Sequence, residues 1–446
     1  MNIDILSINL RSLSISNILS TPILNTLRIW SENAGWNANV ITSSEDQVSG
    51  STLAPVVAIC VYTPSAPASY RVARRLRQMG KYVILGGPHF RGGMSAEADG
   101  LCDVVAETVS EEIWIHLLQN IESDRREQKE GSTAVIRDKD GAFRFPGDYR
   151  RSLQHKKWYQ VAAIPTSLGC PYGCEFCDPI FGGKYMARDV EVIAGDLENM
   201  SGKTALFCDA TFGLNKKWTM RLMERIASLG KDLLIETSLA RMADRELVAA
   251  LARGGVKAME IGIETLSSGM NKHGVAKSPQ MIMDAISMIR DHGIVVQGNF
   301  VLGLDSDGEE CFDNACEFYL KSNLDFLNAM LLTPFPSTRL YRRLKEQGRI
   351  LDFEWSRYDF SNVVFRPQNM SAERLHDGFH QLCADVHSSK SIARKVWRMA
   401  VDFGPGRQSA LMTLYQLYYW SVVDKMLGSA GDRRPGGAPD TQAPLN

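Results

Sequence analysis

The 446-residue sequence has no excess of either charge: 50 basic residues against 51 acidic ones leave −1 at neutral pH. That balance gives no global electrostatic pull toward nucleic acid. No uninterrupted apolar run approaches the roughly 20 residues needed to span a bilayer. The first residues also lack the basic-then-apolar pattern of a secretory leader, so a soluble, cytoplasmic protein is the expectation. Nine cysteines, scattered from position 60 to position 383, form no disulfide framework and suit a reducing compartment. The first strand-like run, Ile3–Leu10, is not followed by a GxGxxG turn, which weakens the case for a dinucleotide. A chain of this length is expected to form two or three domains with well-filled cores.

Three of the cysteines are concentrated in one place. Gly169-Cys170-Pro171-Tyr172-Gly173-Cys174-Glu175-Phe176-Cys177-Asp178 carries a CxxxCxxC spacing directly after the apolar run Val161-Ala162-Ala163-Ile164-Pro165. Thiolates favour zinc or an iron–sulfur cluster. Structural zinc wants four protein ligands, and no fourth Cys or His lies close by in the sequence. A cubane held by three cysteines keeps one iron open to a ligand. The spacing, with an aromatic (Phe176) just before the last thiol, resembles the radical S-adenosylmethionine (SAM) superfamily. The resemblance implies a 4Fe-4S cluster on Cys170, Cys174 and Cys177 whose open iron chelates SAM and cleaves it reductively to a 5'-deoxyadenosyl radical. It also implies an external electron donor such as flavodoxin or ferredoxin.

Residues 1–125 alternate strand and helix, with Pro55–Tyr62 an almost continuous apolar run of the kind buried on both faces of a parallel sheet. Such alternation predicts a doubly wound sheet with its ligand beyond the carboxyl ends of the strands. Val57-Ala58-Ile59-Cys60-Val61-Tyr62-Thr63, then Val83-Ile84-Leu85-Gly86-Gly87-Pro88-His89, then Cys102-Asp103-Val104-Val105-Ala106-Glu107 resemble the cobalamin-binding domain that precedes many radical SAM cores. That resemblance implies cobalamin contacts from Thr63, Ser65, Gly86, Gly87, Pro88, His89 and Glu107, with the paired glycines allowing close backbone approach. The Asp-x-His-x-x-Gly motif that supplies a cobalt ligand elsewhere is replaced by Asn9-Leu10-Arg11-Ser12-Leu13-Ser14. His89 is therefore read as a loop contact and not as a cobalt ligand. A Rossmann unit that has lost its cofactor is the alternative.

Residues 126–158 read as a charged linker, with Asp140-Gly141 suggesting a hairpin turn. From 159 to 345 strands and helices alternate through six βα units, a partial (β/α)6 barrel of the TIM type in which polar residues at strand ends line the mouth. Asp209, Glu236, Ser238, Glu264 and Asp305 occupy such ends. By resemblance Glu264 contacts the SAM ribose, Glu236 and Ser238 belong to the preceding SAM-contacting strand end, and Gly303 lies beside the adenine. Phe207-Cys208-Asp209-Ala210-Thr211-Phe212 is similar to a Phe-x-Asp-Asp-x-Phe stretch of cobalamin-dependent members, with Ala210 in place of the second acid. Asp209 and Glu236 are read equally as helix caps.

Residues 346–446 read as a mainly helical region, with helices over 372–396 and 409–427 and a disordered tail from Gly428. The apolar stripe of the second helix suits core packing, or contact with a membrane surface or lipid substrate. The resemblance as a whole implies a class B radical SAM methyltransferase-like enzyme methylating an unactivated carbon of a small molecule, with cobalamin carrying the methyl group. An oxidative cyclase or rearrangement enzyme without methyl transfer is the second reading. A transfer RNA methylthiotransferase is the third, disfavoured because only Cys60 and Cys102 occur in the first domain and no basic RNA-binding module follows.

Overall fold

In the computed structural model, residues 1–9, 22–127, 133–137, 161–178, 184–267 and 278–404 are described. The expected Asp140-Gly141 turn, the 409–427 helix and the tail lie outside them.

The N-terminal unit runs β1 (Asn2–Asn9), α1 (Pro22–Asn33), β2 (Asn37–Ser44), β3 (Val56–Cys60), α2 (Ala66–Gln78), β4 (Tyr82–Gly86), β5 (Val104–Thr108), α3 (Glu111–Glu127) and β6 (Ala134–Arg137). The sheet order is β2-β1-β3-β4-β5-β6 and every pairing is parallel. The first five strands thus follow the flavodoxin-like doubly wound order. β6 comes from the stretch read as linker: Ala134 donates its N–H to the Asp103 carbonyl at 2.9 Å and continues alongside β5. Four residues, three of them exposed and one half-buried, carry little burial signal, so only the neighbouring strand reveals β6 as an edge.

The second unit comprises β7 (Ala162–Ile164), β8 (Ser167–Leu168), β9 (Met186–Ala187), α4 (Val190–Asn199), β10 (Thr204–Phe207), α5 (Lys216–Ile226), β11 (Asp232–Ser238), α6 (Leu239–Met242), α7 (Arg245–Arg253), β12 (Val256–Glu264), α8 (Pro279–Asp291), β13 (Val295–Leu302), α9 (Cys311–Lys321) and β14 (Phe326–Leu331). Its sheet is also all parallel, in the order β14-β13-β12-β11-β10-β7, so the six strands follow chain order and the sheet stays open between its first and last strands. Alternation divides each strand into two faces. Leu233 and Ile235, Met259 and Ile261, Phe300 and Leu302 join the helices in one buried core. The intervening residues form an inner face that includes Glu236, Glu260, Gln297, Asn299 and Asn328. Helix starts follow side-chain capping: Asp189, Asn215, Asp244 and Ser278 accept N–H bonds in the first turns of α4, α5, α7 and α8.

The C-terminal segment contributes α10 (Arg339–Glu346), α11 (Ala372–Val386) and α12 (Ser389–Phe403). The single helix expected over 372–396 is two, because Ser388 turns out of helical conformation and caps α12 by accepting the Ser391 N–H at 3.3 Å. Val295 and Phe326, at the starts of β13 and β14, pack with Met399 of α12, with Ala258 and Val396 against them, giving the inner face an apolar floor. Tyr341, Trp355, Tyr358 and Val364 complete the core on one face of the N-terminal sheet, and this segment thereby joins the two sheets. Among the described residues, no helix is long and apolar enough to cross a membrane.

Candidate active site

The three thiols lie on the loop leaving β7. Gly169 and Gly173 adopt φ of +74° and +57°, backbone that an L side chain resists, and Cys177 donates its N–H to the Cys174 carbonyl at 3.2 Å. None of the three is in a disulfide, and exposure rises from half-buried Cys170 to exposed Cys177. Cys170 Sγ is 3.6 Å from Thr211 Oγ1. Among the described residues, no three Cys, His, Asp or Glu side chains close into a metal cage. The donor set nevertheless suits a cubane: three soft ligands on one wrapped loop, with a metal corner left open.

Asp209 fixes the start of this loop. Its Oδ1 accepts the N–H groups of Thr166 and Ser167, each at 2.8 Å, and its Oδ2 accepts the Thr166 hydroxyl. Burial raises its pKa, and these bonds oppose the rise. Asp209 therefore clamps the start of the cysteine loop.

At the end of β11, Ser238 is 3% exposed and its hydroxyl is buried without a hydrogen-bond partner. A native buried hydroxyl left unpaired calls for a ligand. Glu236, one inward position below, is exposed on the inner face, and its carbonyl accepts the Phe212 N–H at 2.7 Å. Glu264 closes β12 in a left-handed conformation, φ +68°, at a break in the register with β13. It is 7% exposed. Such a backbone is costly for a glutamate and marks a place where side-chain aim matters.

Asp307, absent from the sequence-derived candidates, ties the next two strand ends together. It accepts the Thr265 hydroxyl at 2.9 Å and the N–H groups of Gly303 and Leu304 at 3.0 and 3.1 Å. Gly303 itself does not open a ligand slot through its missing side chain: a Cβ there would lie 2.7 Å from Leu375 of α11, and Phe365 also fills the space. Asp305 is likewise occupied, holding Arg343 and Arg349 at 2.7 Å each.

Below the strand ends the inner face is polar. Glu236, Glu260 and Gln297 stand in register on three adjacent strands, and Asn299 pairs with Asn328 on the next. Asn299 Oδ1 accepts from Gln297 at 3.0 Å and from Asn328 at 3.3 Å. Burial raises the Glu260 pKa, opposed by its bond to Asn299. Alternation alone places these residues inward, but their lateral pairing depends on strand order.

The residues expected to meet cobalamin are mostly engaged within the protein. His89 is fully buried, with Nδ1 3.2 Å from the Thr63 hydroxyl and its ring among Tyr70, Phe90 and Trp355. Ser65 Oγ donates to the Tyr62 carbonyl at 3.0 Å and accepts the Tyr62 N–H, so it caps its own turn. Glu107 pairs with Arg137 and accepts the Ser95 hydroxyl. Gly86 and Gly87 are required by neighbours: a Cβ on Gly86 would sit 3.1 Å from the Ala106 carbonyl, and one on Gly87, at φ +119°, 2.7 Å from Val61 backbone. Among the described residues, loop backbone and the half-buried Tyr62, Pro64, Pro88 and Val109 lie at these strand ends.

Comparison with known proteins follows this layout. Residues 164–319 match the Radical SAM superfamily, and residues 338–433 match a domain of unknown function, DUF4070. Over 379 residues the chain is 28% identical to bacteriochlorophyllide d C-12(1)-methyltransferase of Chlorobaculum tepidum, covering 80% of this chain and 81% of that protein. It is 26% identical over 334 residues to bacteriochlorophyllide d C-8(2)-methyltransferase of the same organism, covering 70% and 73%. Anaerobic magnesium-protoporphyrin IX monomethyl ester cyclase of Cereibacter sphaeroides is 23% identical over 350 residues, covering 71% and 56%. The structure of the radical S-adenosylmethionine methyltransferase TsrM from Kitasatospora setae, with cobalamin and [4Fe-4S] cluster bound, superposes with a TM-score of 0.62 at 14% identity over 96% of this chain and 99% of that one, a shared fold. The residues matched to the Radical SAM superfamily include the strands whose ends carry the thiols, Ser238 and Glu264.

Proposed function

We propose that this protein is a cobalamin-dependent radical SAM C-methyltransferase acting on a small molecule, built as a cobalamin-binding N-terminal unit, an open (β/α)6 barrel and a helical C-terminal region. The observation that carries methyl transfer is the likeness, over 80% of the chain, to a bacteriochlorophyllide methyltransferase. When bound, the cluster supplies an electron to cleave SAM, and cobalamin supplies a transferable methyl group.

Cys170, Cys174 and Cys177 hold the cluster in this reading, and Asp209 keeps their loop against β10. The unpaired hydroxyl of Ser238 and the carboxylate of Glu264 bind SAM from adjacent strand ends, while Asp307 sets the spacing of the next pair of ends. The inner face above Met399 is the substrate chamber. Its row of Glu236, Glu260, Gln297, Asn299 and Asn328 favours a substrate with hydrogen-bonding groups over a bare hydrocarbon. The half-buried rim at Tyr62, Pro64, Pro88 and Val109 receives the corrinoid. An external one-electron donor of the flavodoxin or ferredoxin kind completes the scheme.

Reduced, anaerobically reconstituted enzyme given methyl-labelled SAM tests this reading. Label transfer with formation of S-adenosylhomocysteine is expected. The cyclase relative favours a second reading, oxidative ring closure without methyl transfer, and consumption of substrate with no S-adenosylhomocysteine would establish that instead. Replacing all three cysteines by alanine should abolish 5'-deoxyadenosine while cobalamin stays bound.

A further inference from the structure

α10 lies against the cysteine loop and holds it at three points. Leu340 donates its N–H to the Glu175 carbonyl at 3.0 Å, Arg339 donates to the Gly173 carbonyl, and Arg343 forms a two-pronged pair with the Glu175 carboxylate, Nη2 to Oε2 being 3.0 Å. Glu175 sits between the second and third thiols in the sequence. The same guanidinium reaches Asp305 through Nη1 at 2.7 Å, and Arg349 meets the other oxygen of Asp305 at 2.7 Å. Asp305 follows Gly303 and Leu304 at the end of β13, and its carbonyl accepts from Asn369 Nδ2 at 2.8 Å. Glu175, Arg343, Asp305 and Arg349 thus form an alternating chain of charges from the thiol loop to the β13 loop.

The order has an electrostatic consequence. Glu175 alone would place an anion beside the thiolates and disfavour adding an electron there. A planar guanidinium bound two-pronged offsets that charge in a fixed geometry, which a lysine would not reproduce. Burial pushes the Asp305 pKa up, but its two arginines outweigh burial and hold it below the usual carboxylate range. Asp305 therefore remains anionic, and the Arg343 guanidinium bridges it to the Glu175 carboxylate.

We propose that Arg343 is a positioning residue that locks the cysteine loop to the β13 loop and compensates the charge of Glu175, so setting how readily the bound cluster accepts its electron. Arg343 belongs to the first helix of the 338–433 region. That region of unknown function thereby acquires a role: it braces the radical-generating site while its Trp355 and Tyr358 hold the N-terminal sheet. The inference rests on the proposed cluster at Cys170, Cys174 and Cys177 and not on methyl transfer.

Full-length protein reconstituted with iron and sulfide, as wild type, Arg343→Gln, Glu175→Gln and the double variant, is titrated for the cluster's reduction potential. Electron paramagnetic resonance spectra are recorded with and without SAM. Arg343→Gln should move the potential to more negative values, Glu175→Gln to less negative ones, and the double variant back toward wild type. Arg343→Gln should also blunt the spectral change that SAM produces. Shifts of the same sign in both single variants, or no shift in either, overturn the proposal. If Arg343→Gln does not load a cluster, Glu175→Gln decides: a less negative potential supports the proposal and any other result overturns it. Wild-type protein without a cubane signal would sink the cluster assignment itself, whereas a normal wild-type signal with unchanged variants sinks only the role of Arg343.

Discussion

Thr265 donates its hydroxyl to Asp307 Oδ1 at 2.9 Å, joining the residue that follows Glu264 to the loop that follows β13. The other oxygen of that carboxylate holds the N–H groups of Gly303 and Leu304. One buried acid, 1% exposed, therefore fixes two adjacent strand ends at the mouth.

Asp307→Ala should cost about 3 kcal/mol in denaturant unfolding, because three buried donors lose their acceptor. In the folded variant the affinity for SAM should fall by roughly tenfold or more, since displaced strand ends misplace bound groups. Isothermal titration with SAM checks this, and unchanged affinity in a destabilised variant would show that Asp307 serves stability alone.

Asp209→Ala should likewise free the Thr166 and Ser167 N–H groups and loosen the entry to the cysteine loop, lowering iron retained after reconstitution. Asp209→Asn should recover much of it. The amide oxygen keeps the backbone bonds, and its NH2 finds the Thr166 hydroxyl turned round as acceptor. Iron content and melting temperature read both variants; an Asn variant no better than Ala would count against the hydrogen-bond account.

Trp355 donates its indole N–H to Glu97 at 2.9 Å and stacks edgewise on His89 and Tyr358, with ring centroids 5.4 and 4.9 Å away. Trp355→Ala should cost about 3–5 kcal/mol, and Trp355→Phe about 1 kcal/mol for the lost hydrogen bond. Hydrogen exchange of amides 82–98 should rise in the Ala variant, because their cover is gone. Protection unchanged there would show that the N-terminal sheet does not depend on this lid.

Lys395 is buried, donates to the carbonyls of Tyr319 and Leu324, and lies 4.1 Å above the Tyr319 ring. Burial lowers its pKa from 10.5 to about 7; the Asp325 charge opposes the shift and Arg398, Arg394 and Arg290 add to it. A folded-state pKa below the unfolded one means the folded chain binds fewer protons between those values. Stability should then rise with pH across that window and be lost as pH falls toward 7, with a slope of up to about 1.4 kcal/mol per unit. Denaturant unfolding of wild type and Lys395→Met from pH 6.5 to 9.5 should show wild type gaining on the variant as pH rises. A constant difference would refute the assignment.

Much of this protein was legible in its sequence because much of it is local. The alternation of apolar strand-like runs with helices was enough to indicate both parallel sheets. The thiol loop was legible for the same reason: three soft ligands within eight residues need no tertiary information to suggest one metal centre. The place of Glu264 at a strand end was legible, and its left-handed backbone is a fact that only the folded chain supplies.

Other assignments depended on which side chains meet across the chain. Glu175 is visible in the cysteine motif, but its partner Arg343 lies 168 residues on. Glu107 and Ser65 looked like ligand contacts until Arg137, Ser95 and Tyr62 took up their hydrogen bonds. Gly303 was placed beside the adenine by resemblance, and the space at its missing side chain is taken by Leu375. Residue spacing records periodicity and local ligand geometry; the choice of partner for a buried charge or an empty Cβ position is made by strand order and helix docking, which bring together residues that no local pattern relates.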